Sequence, residues 1–243
     1  LRLKASERVR EALEKADYGE KVHRCLEAFH WHVAGLPGPW PHATIDAAQR
    51  SAAIDLLQAI ARAEFARDLE DNYLHRGWLQ QWLERIPQYI DWQIRQSAHW
   101  RVASVEARSE ITLGDYRLKG RLDRIDQNCH GERMIIDYKT GSMPSLKEIE
   151  SGESSQLPFY ALLAASHSKV VQVSYLSLKD GVKYGATLEG APLDDLVMAH
   201  RVRIAPLLDR IARGAPLPAW GDEKICRRCS VSGICRRIIW EGA

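Results

Sequence analysis

The run Met134-Ile-Ile-Asp-Tyr-Lys139 sets the tightest limit on how this chain can fold. Three successive apolar residues present an apolar side chain to both faces of a strand, so that strand has to be covered on both sides, at the centre of a sheet rather than at its edge. The run then ends in a carboxylate and an ammonium, which are costly at the end of a buried strand unless they are paired or bound to a metal. Asp137 and Lys139 are two residues apart and therefore share a face. The preceding segment, Gly120-Arg-Leu-Asp-Arg-Ile-Asp126, reads as the neighbouring strand and supplies a second carboxylate, Asp123. Two carboxylates and a lysine are what metal-assisted phosphodiester cleavage requires: hard oxygen ligands for a Mg²⁺-type ion, and a cation or base beside the attacking water. A lone Asp-x-Lys is more often a solvated strand edge, and the apolar run is what argues against that here.

Two helical segments can bring further groups to this pair. Gln156 and Tyr160 fall four apart in Gln156-Leu-Pro-Phe-Tyr160, on one helical face. His23 and Glu27 are likewise four apart in an amphipathic stretch from Gly19 to Phe29, where a lone histidine is more often a packing residue than a ligand.

The rest of the chain divides by period. Glu7–Phe29 reads as one or two helices broken near Asp17-Tyr-Gly19, and three prolines around Gly38 make 36–41 a loop. Helical patterns follow from about Thr44 to Glu70 and from Gln80 to Gln96. The spacing of Trp78, Trp82, Trp92 and Trp100 favours packing over base stacking. Strands are expected at Arg101–Leu113, Tyr116–Gln127, Glu132–Lys139, Val170–Leu178 and Val182–Ala186, with a last helix over Leu193–Arg213. The expected fold is α/β: a mixed sheet flanked by helices, forming one domain over 1–243. Residues 1–99 are its mainly helical part, 100–190 its sheet core, and 191–243 a helix and a cysteine loop.

Composition excludes little. With 34 Lys and Arg against 32 Asp and Glu, the formal net charge is only +2, so the total does not announce a nucleic-acid binder. The stretch after position 200 is locally basic. An odd count of five cysteines, with no leader-like or membrane-spanning apolar run, suits a reducing cytoplasm and no membrane association. Cys226, Cys229 and Cys235, separated by two and then five residues, read as soft ligands of one metal centre, with a zinc site or free thiols as alternatives.

The order Gly-x-x-x-His23, Gly-x-x-Asp123-Arg-Ile-Asp126, Asp137-Tyr-Lys139-Thr-Gly and Gln156-x-x-x-Tyr160 is similar to the RecB-type branch of the PD-(D/E)XK nucleases, and most closely resembles AddB-like nuclease domains. The resemblance implies a metal-dependent DNA exonuclease of recombinational double-strand-break repair. It would take single-stranded ends from an AddA-like helicase–nuclease subunit in a bacterial cytoplasm. By the same resemblance His23, Asp123, Asp137 and the backbone carbonyl of Tyr138 hold Mg²⁺ or Mn²⁺, and Lys139 is the catalytic lysine. Gln156 and Tyr160 support the site and contact DNA, while Arg124 and Asp126 form a structural pair. Cys226, Cys229 and Cys235 would bind a 4Fe–4S cluster, which needs a fourth thiolate. In the family that thiolate lies upstream of the nuclease core. No such cysteine precedes Gly19 here, Cys25 reads as a buried apolar residue and Cys129 lies in a polar turn. Other readings are a stand-alone or CRISPR-associated nuclease, a silent DNA-binding module, and a zinc-binding interaction domain.

Overall fold

The computed structural model describes residues 15–66, 68–69, 73–165, 168–216, 226 and 229. Residues 14–205 form one compact unit, and residues 1–13 with 206–243 form another. Among the described residues three helices come first: α1 (Lys15–His30), α2 (Arg50–Ala66) and α3 (Tyr73–Gln96). Strands β1 (Arg101–Leu113), β2 (Tyr116–Gln127) and β3 (Arg133–Lys139) follow. Then come α4 (Leu146–Glu150), α5 (Gln156–Ala164), β4 (Val170–Ser177), β5 (Lys183–Glu189) and α6 (Gly190–Ala212). None of the described helices is long and apolar enough to cross a membrane.

The strands make one sheet in the order β1-β2-β3-β4-β5. All neighbours are antiparallel except β3 and β4, which are parallel and therefore joined by a crossover that contains α4 and α5. This mixed sheet between helices is the α/β architecture expected from the sequence. Strand β3 is central, and its alternation explains the apolar run. Met134, Ile136 and Tyr138 pack into a core with α1, α2 and α3, whereas Ile135 packs into a second core with α4, α5 and the start of α6. Trp82 and Trp92 are buried in the first core and Trp78 and Trp100 pack against it, so all four are structural.

Three expectations need correcting. The break near Asp17-Tyr-Gly19 is absent, for α1 runs unbroken from Lys15. Tyr18 is buried in the core, and an added Cβ on Gly19 would meet Thr140 Oγ1 at 3.1 Å, so packing against the end of β3 outweighs the glycine's poor helix propensity. Helix α2 is shorter than Thr44–Glu70 because Asp46 and Gln49 cap its entrance. The Gln49 N–H donates to Asp46 Oδ1 at 2.9 Å, and the Asp46 N–H donates to Gln49 Oε1 at 3.2 Å. Helix α3 begins before Gln80 and carries Pro87 inside it.

Beneath the Asp137-Tyr-Lys139 segment lies a buried polar network. Arg124 is fully buried and forms a fork with Asp126, Nε to Oδ1 at 2.6 Å and Nη2 to Oδ2 at 2.9 Å. Its Nη1 also donates to Gln93 Oε1 at 2.6 Å and to the Tyr89 and Tyr138 hydroxyls at 3.1 and 3.3 Å. Gln96 Nε2 donates to Asp126 Oδ2 at 3.1 Å. Burial and the adjacent guanidinium hold the His30 imidazole well below its ordinary pKa, so it is neutral beside the charge. The pair expected of Arg124 and Asp126 is thus a fully enclosed one.

Candidate functional site

Tyr138 is the hinge between the two sides of the sheet. Its ring belongs to the α1–α3 core, while its peptide faces the acidic pair: the N–H donates to Asp123 Oδ2 at 2.9 Å, and the carbonyl lies 3.2 Å from His23 Nε2. Extending the β2–β3 register by one step from Arg124↔Ile136 sets Asp123 opposite Asp137. His23 arrives from α1, with Nδ1 3.6 Å from Asp123 and 3.5 Å from Glu106.

From the other side, α5 contributes its amide. Gln156 Nε2 donates to Asp137 Oδ1 at 2.7 Å and to the Tyr160 hydroxyl at 3.0 Å, while its Oε1 accepts from Lys139 Nζ at 2.9 Å. Lys139 Nζ sits 2.7 Å from Asp137 Oδ2 and 5.1 Å from the centre of the Tyr175 ring. Gly120 permits this approach of α5: an ideal Cβ there would lie 2.4 Å from Leu163 Cδ1.

Glu106 on β1 belongs to the site, although the sequence motifs do not include it. It is nearly buried, bonds Arg121 Nε at 2.6 Å, and stands with His23 and Asp123 so that one ligand atom of each lies within 4.8 Å of the others. Its φ of 48° is the only positive value at a non-glycine position among the described residues. A local slip of alternation occurs across from it, because Leu122 and Ile125 both pack into the α5-side core although they are three apart. The nearest sequence signal was an acidic residue mid-strand, which alone reads as a solvated position.

The electrostatics follow from enclosing these charges. Burial pushes Asp123 up to about 7, with Asp137 adding to the rise and His23 opposing it. Asp137 is also raised, chiefly by burial, against the pull of Lys139. For His23, burial works against the charged form, but Glu106, Asp123 and Asp137 outweigh it and lift the imidazole to about 9. Without a divalent cation, the site therefore holds protons.

Those residues suit a divalent cation. Asp137 Oδ2 is buried with no well-aligned hydrogen bond, its close counter-charge being the Lys139 ammonium at 2.7 Å, and so is a hard oxygen donor that a cation would satisfy. Carboxylates, a peptide carbonyl and one imidazole form a donor set for Mg²⁺ or Mn²⁺, the imidazole favouring the latter. The cleft over them holds about 670 Å³ and is lined by Lys21, Arg24, Arg121, Lys139 and Gln156 as well as the acidic groups.

The structure thus brings His23, Asp123, Asp137, Tyr138, Lys139, Gln156 and Tyr160 together at the end of β3. Cys226 and Cys229 are half-buried and linked by a bond from the Cys229 N–H to the Cys226 carbonyl at 3.2 Å, while Cys235 lies outside the described residues. Cys25 is buried within α1, where enclosure pushes its thiol far up, and Cys129 is exposed, as their sequence surroundings suggested.

An uncharacterized protein of Rickettsia bellii (strain RML369-C) is 22% identical over 213 residues, which cover 82% of this chain and 22% of that protein. A second, from Rickettsia felis (strain ATCC VR-1525 / URRWXCal2), is 30% identical over 96 residues, covering 38% of this chain and 11% of that one. The chain thus spans about a fifth of the first relative and a smaller share of the second. Among solved structures, a provisionally named exonuclease from Eubacterium rectale aligns over 93% of this chain and 92% of its own, with 12% identity and a TM-score of 0.42. The family profile of the PD-(D/E)XK nucleases matches residues 1–236, a span that contains the whole arrangement around β3; by that match this chain belongs to the PD-(D/E)XK nuclease superfamily.

Proposed function

We propose that this nuclease is a Mg²⁺- or Mn²⁺-dependent DNA exonuclease that digests single-stranded ends supplied by an AddA-like helicase subunit during recombinational repair in the bacterial cytoplasm. The observation that supports it most is the joint anchoring of Asp137 and Lys139 by one amide, Gln156, beside the Asp123–His23 pair. A bound divalent ion would lower the pKa of a water and offset charge on the phosphate. Asp123, Asp137, His23 and the Tyr138 carbonyl are the groups that would hold it, with Glu106 as an added carboxylate. Lys139, kept within 2.7 Å of Asp137, is placed to orient the attacking water or to neutralise negative charge developing on the phosphate. Gln156 bonds to both members of the Lys139–Asp137 ion pair and so fixes its orientation. Gln156, which lines the cleft, and Tyr160, hydrogen-bonded to it, are the residues of this group that would contact DNA.

The test is digestion of end-labelled single- and double-stranded DNA with Mg²⁺ or Mn²⁺, by this chain and by Asp137→Ala and Lys139→Ala. We expect stepwise loss from an end by the wild type, and a fall of about a hundredfold or more in each variant. Near-wild-type cleavage by either variant would refute the assignment, and internal cutting of circular DNA would refute the exonuclease reading.

The turn that joins Cys226 to Cys229 further supports the proposal that these two residues and Cys235 are ligands of an iron–sulfur cluster whose fourth thiolate comes from elsewhere. Anaerobic reconstitution should give visible charge-transfer absorption that Cys226→Ser abolishes. Stoichiometric zinc without that absorption would refute it.

A further inference from the structure

The β1–β2 hairpin carries a row of cations that leads away from the nuclease site. Leu118, Gly120 and Leu122 turn toward α5, so Arg117, Lys119 and Arg121 stand on the opposite face of β2. Their side chains are 64%, 62% and 58% exposed. Directly across on β1, Arg108 pairs with Arg121, Glu110 with Lys119, and Thr112 with Arg117, all exposed or fringing the same face. Like charges set opposite each other on a sheet are unfavourable, and the Arg108–Arg121 pair has that arrangement. Arg121, at the inner end, reaches Glu106 at 2.6 Å and Glu27 at 3.7 Å, and lines both the site cleft and a shallow groove of about 560 Å³ that continues along Arg108, Ser109, Glu110 and Lys119. Glu110 bonds Lys119 at 3.0 Å and Arg117 at 3.3 Å, so it holds both cations upright while cancelling only one of them.

We infer that Arg108, Arg117 and Lys119, ending on Arg121, form a track for the phosphate backbone of the nucleic-acid strand whose scissile bond lies over Asp123 and Asp137. The inference rests on the proposed nucleic-acid substrate but not on cleavage. Geometry supports the direction of the track: residues two apart on a strand repeat every ~6.8 Å, and Arg117 lies about 20 Å from Asp123 along β2. At a stacked spacing of ~3.4 Å per nucleotide, the track would accompany about six nucleotides. A row of exposed guanidinium and ammonium groups meets phosphates along the strand, so the contact is independent of sequence.

The test measures binding without turnover. Fluorescence anisotropy of labelled 20-nucleotide single-stranded and 20-base-pair duplex probes, in EDTA over a range of salt, compares the wild type with combined Arg108→Ala, Arg117→Ala and Lys119→Ala. Each phosphate contact contributes roughly 0.7 to the salt slope for a single strand, so losing three cations should flatten it by about 2 and weaken binding about a hundredfold at 0.1 M salt relative to 1 M. Glu110→Gln, which removes the opposing charge, should do the reverse, tightening binding about fivefold at that salt by the same relation. Its sign keeps the inference open to refutation if the triple variant fails to fold. A control that removes three exposed lysines elsewhere, Lys147, Lys169 and Lys183, should leave the slope unchanged. A flattened slope with either probe upholds the track and identifies the form of nucleic acid it takes. Unchanged slopes with both probes, equal loss in the control, or weaker binding by Glu110→Gln would overturn it. If binding behaves as stated while no metal restores cleavage, the exonuclease reading fails and the track stands.

Discussion

Two arginine forks in this protein have the same bond lengths and opposite surroundings, and Asp126→Ala measures what the surroundings contribute. Arg124–Asp126 and Arg50–Asp91 each show Nε to Oδ1 at 2.6 Å and Nη2 to Oδ2 at 2.9 Å. The first pair has no exposed side-chain surface, whereas the second is 44% and 40% exposed. Removing Asp126 strands a guanidinium that cannot reach water, and takes an acceptor from Gln96 as well. Breaking a buried pair in this way costs about 3–5 kcal/mol. For a chain of this size each kcal/mol lowers the melting temperature by about 2–4 °C, so a fall of roughly 6–20 °C is expected. Asp91→Ala should leave the midpoint nearly unmoved, since water replaces the lost partner. Chemical denaturation of both variants with wild type alongside gives the comparison directly. The reasoning is refuted if Asp126→Ala costs less than about 1 kcal/mol, or if the two variants lose similar amounts. Because Arg124 also holds the Tyr138 hydroxyl, the variant should lose metal-dependent cleavage beyond what its residual folded fraction accounts for.

Three further outcomes follow from the site. Gln156→Ala should retain the fold but lower cleavage by about 10–100-fold, measured under saturating Mn²⁺, because Lys139 and Asp137 lose their shared partner. Glu106→Gln should lower the His23 pKa from its present value near 9, as followed by the imidazole proton resonances, since the side-chain bond to Glu106 is the largest of the causes that raise it and the charge of Glu106 adds to that of Asp123; an unchanged titration would show that Glu106 does not face the ring. In metal-free protein, folded Asp123 keeps a proton up to about 7 that an ordinary aspartate releases near 3.8, and His23 keeps one to about 9 rather than 6.5. Their contributions to stability are therefore lost as pH rises, Asp123 between about 4 and 7 and His23 between about 6.5 and 9. Metal takes the deprotonated ligands, so thermal stabilisation by Mn²⁺ should be larger near pH 8.5 than near 5.5, reaching about 2.7 kcal/mol at a hundredfold excess over Kd; equal stabilisation at both would contradict this.

What could be read in advance was what depends on neighbours in sequence. The bounds of β1 and β2 coincide with the expected Arg101–Leu113 and Tyr116–Gln127, because the Leu113-Gly-Asp-Tyr116 turn and the strand period are both local signals. The i, i+4 relation of Gln156 and Tyr160 was equally local, and the two meet at 3.0 Å. Helix α4 was missed although its signal is printed in Ser145-Leu-Lys-Glu148, a capping box whose two reciprocal bonds are formed. Glu106 had no such signal: its place beside His23 and Asp123 arises from a left-handed residue and a slip of alternation on the opposing strand, both products of tertiary contact. The continuity of α1 through Gly19 is another long-range effect, set by Thr140 more than a hundred residues away.

The single parallel step of the sheet has a consequence for how the enzyme comes into being. Asp123, Asp137 and Lys139 all lie on strands that pair between near neighbours, but the amide that aligns the last two sits in the crossover leading to β4. Such a connection closes only when its far strand docks, and pairings over long loops are the slow ones in folding. A nascent chain that has emerged only as far as residue 165 would carry every acidic ligand and the lysine, yet lack β4, one of the strands against which α5 packs. Assembly of the site is thereby tied to the docking of β4 and not to the strands that carry its charged groups.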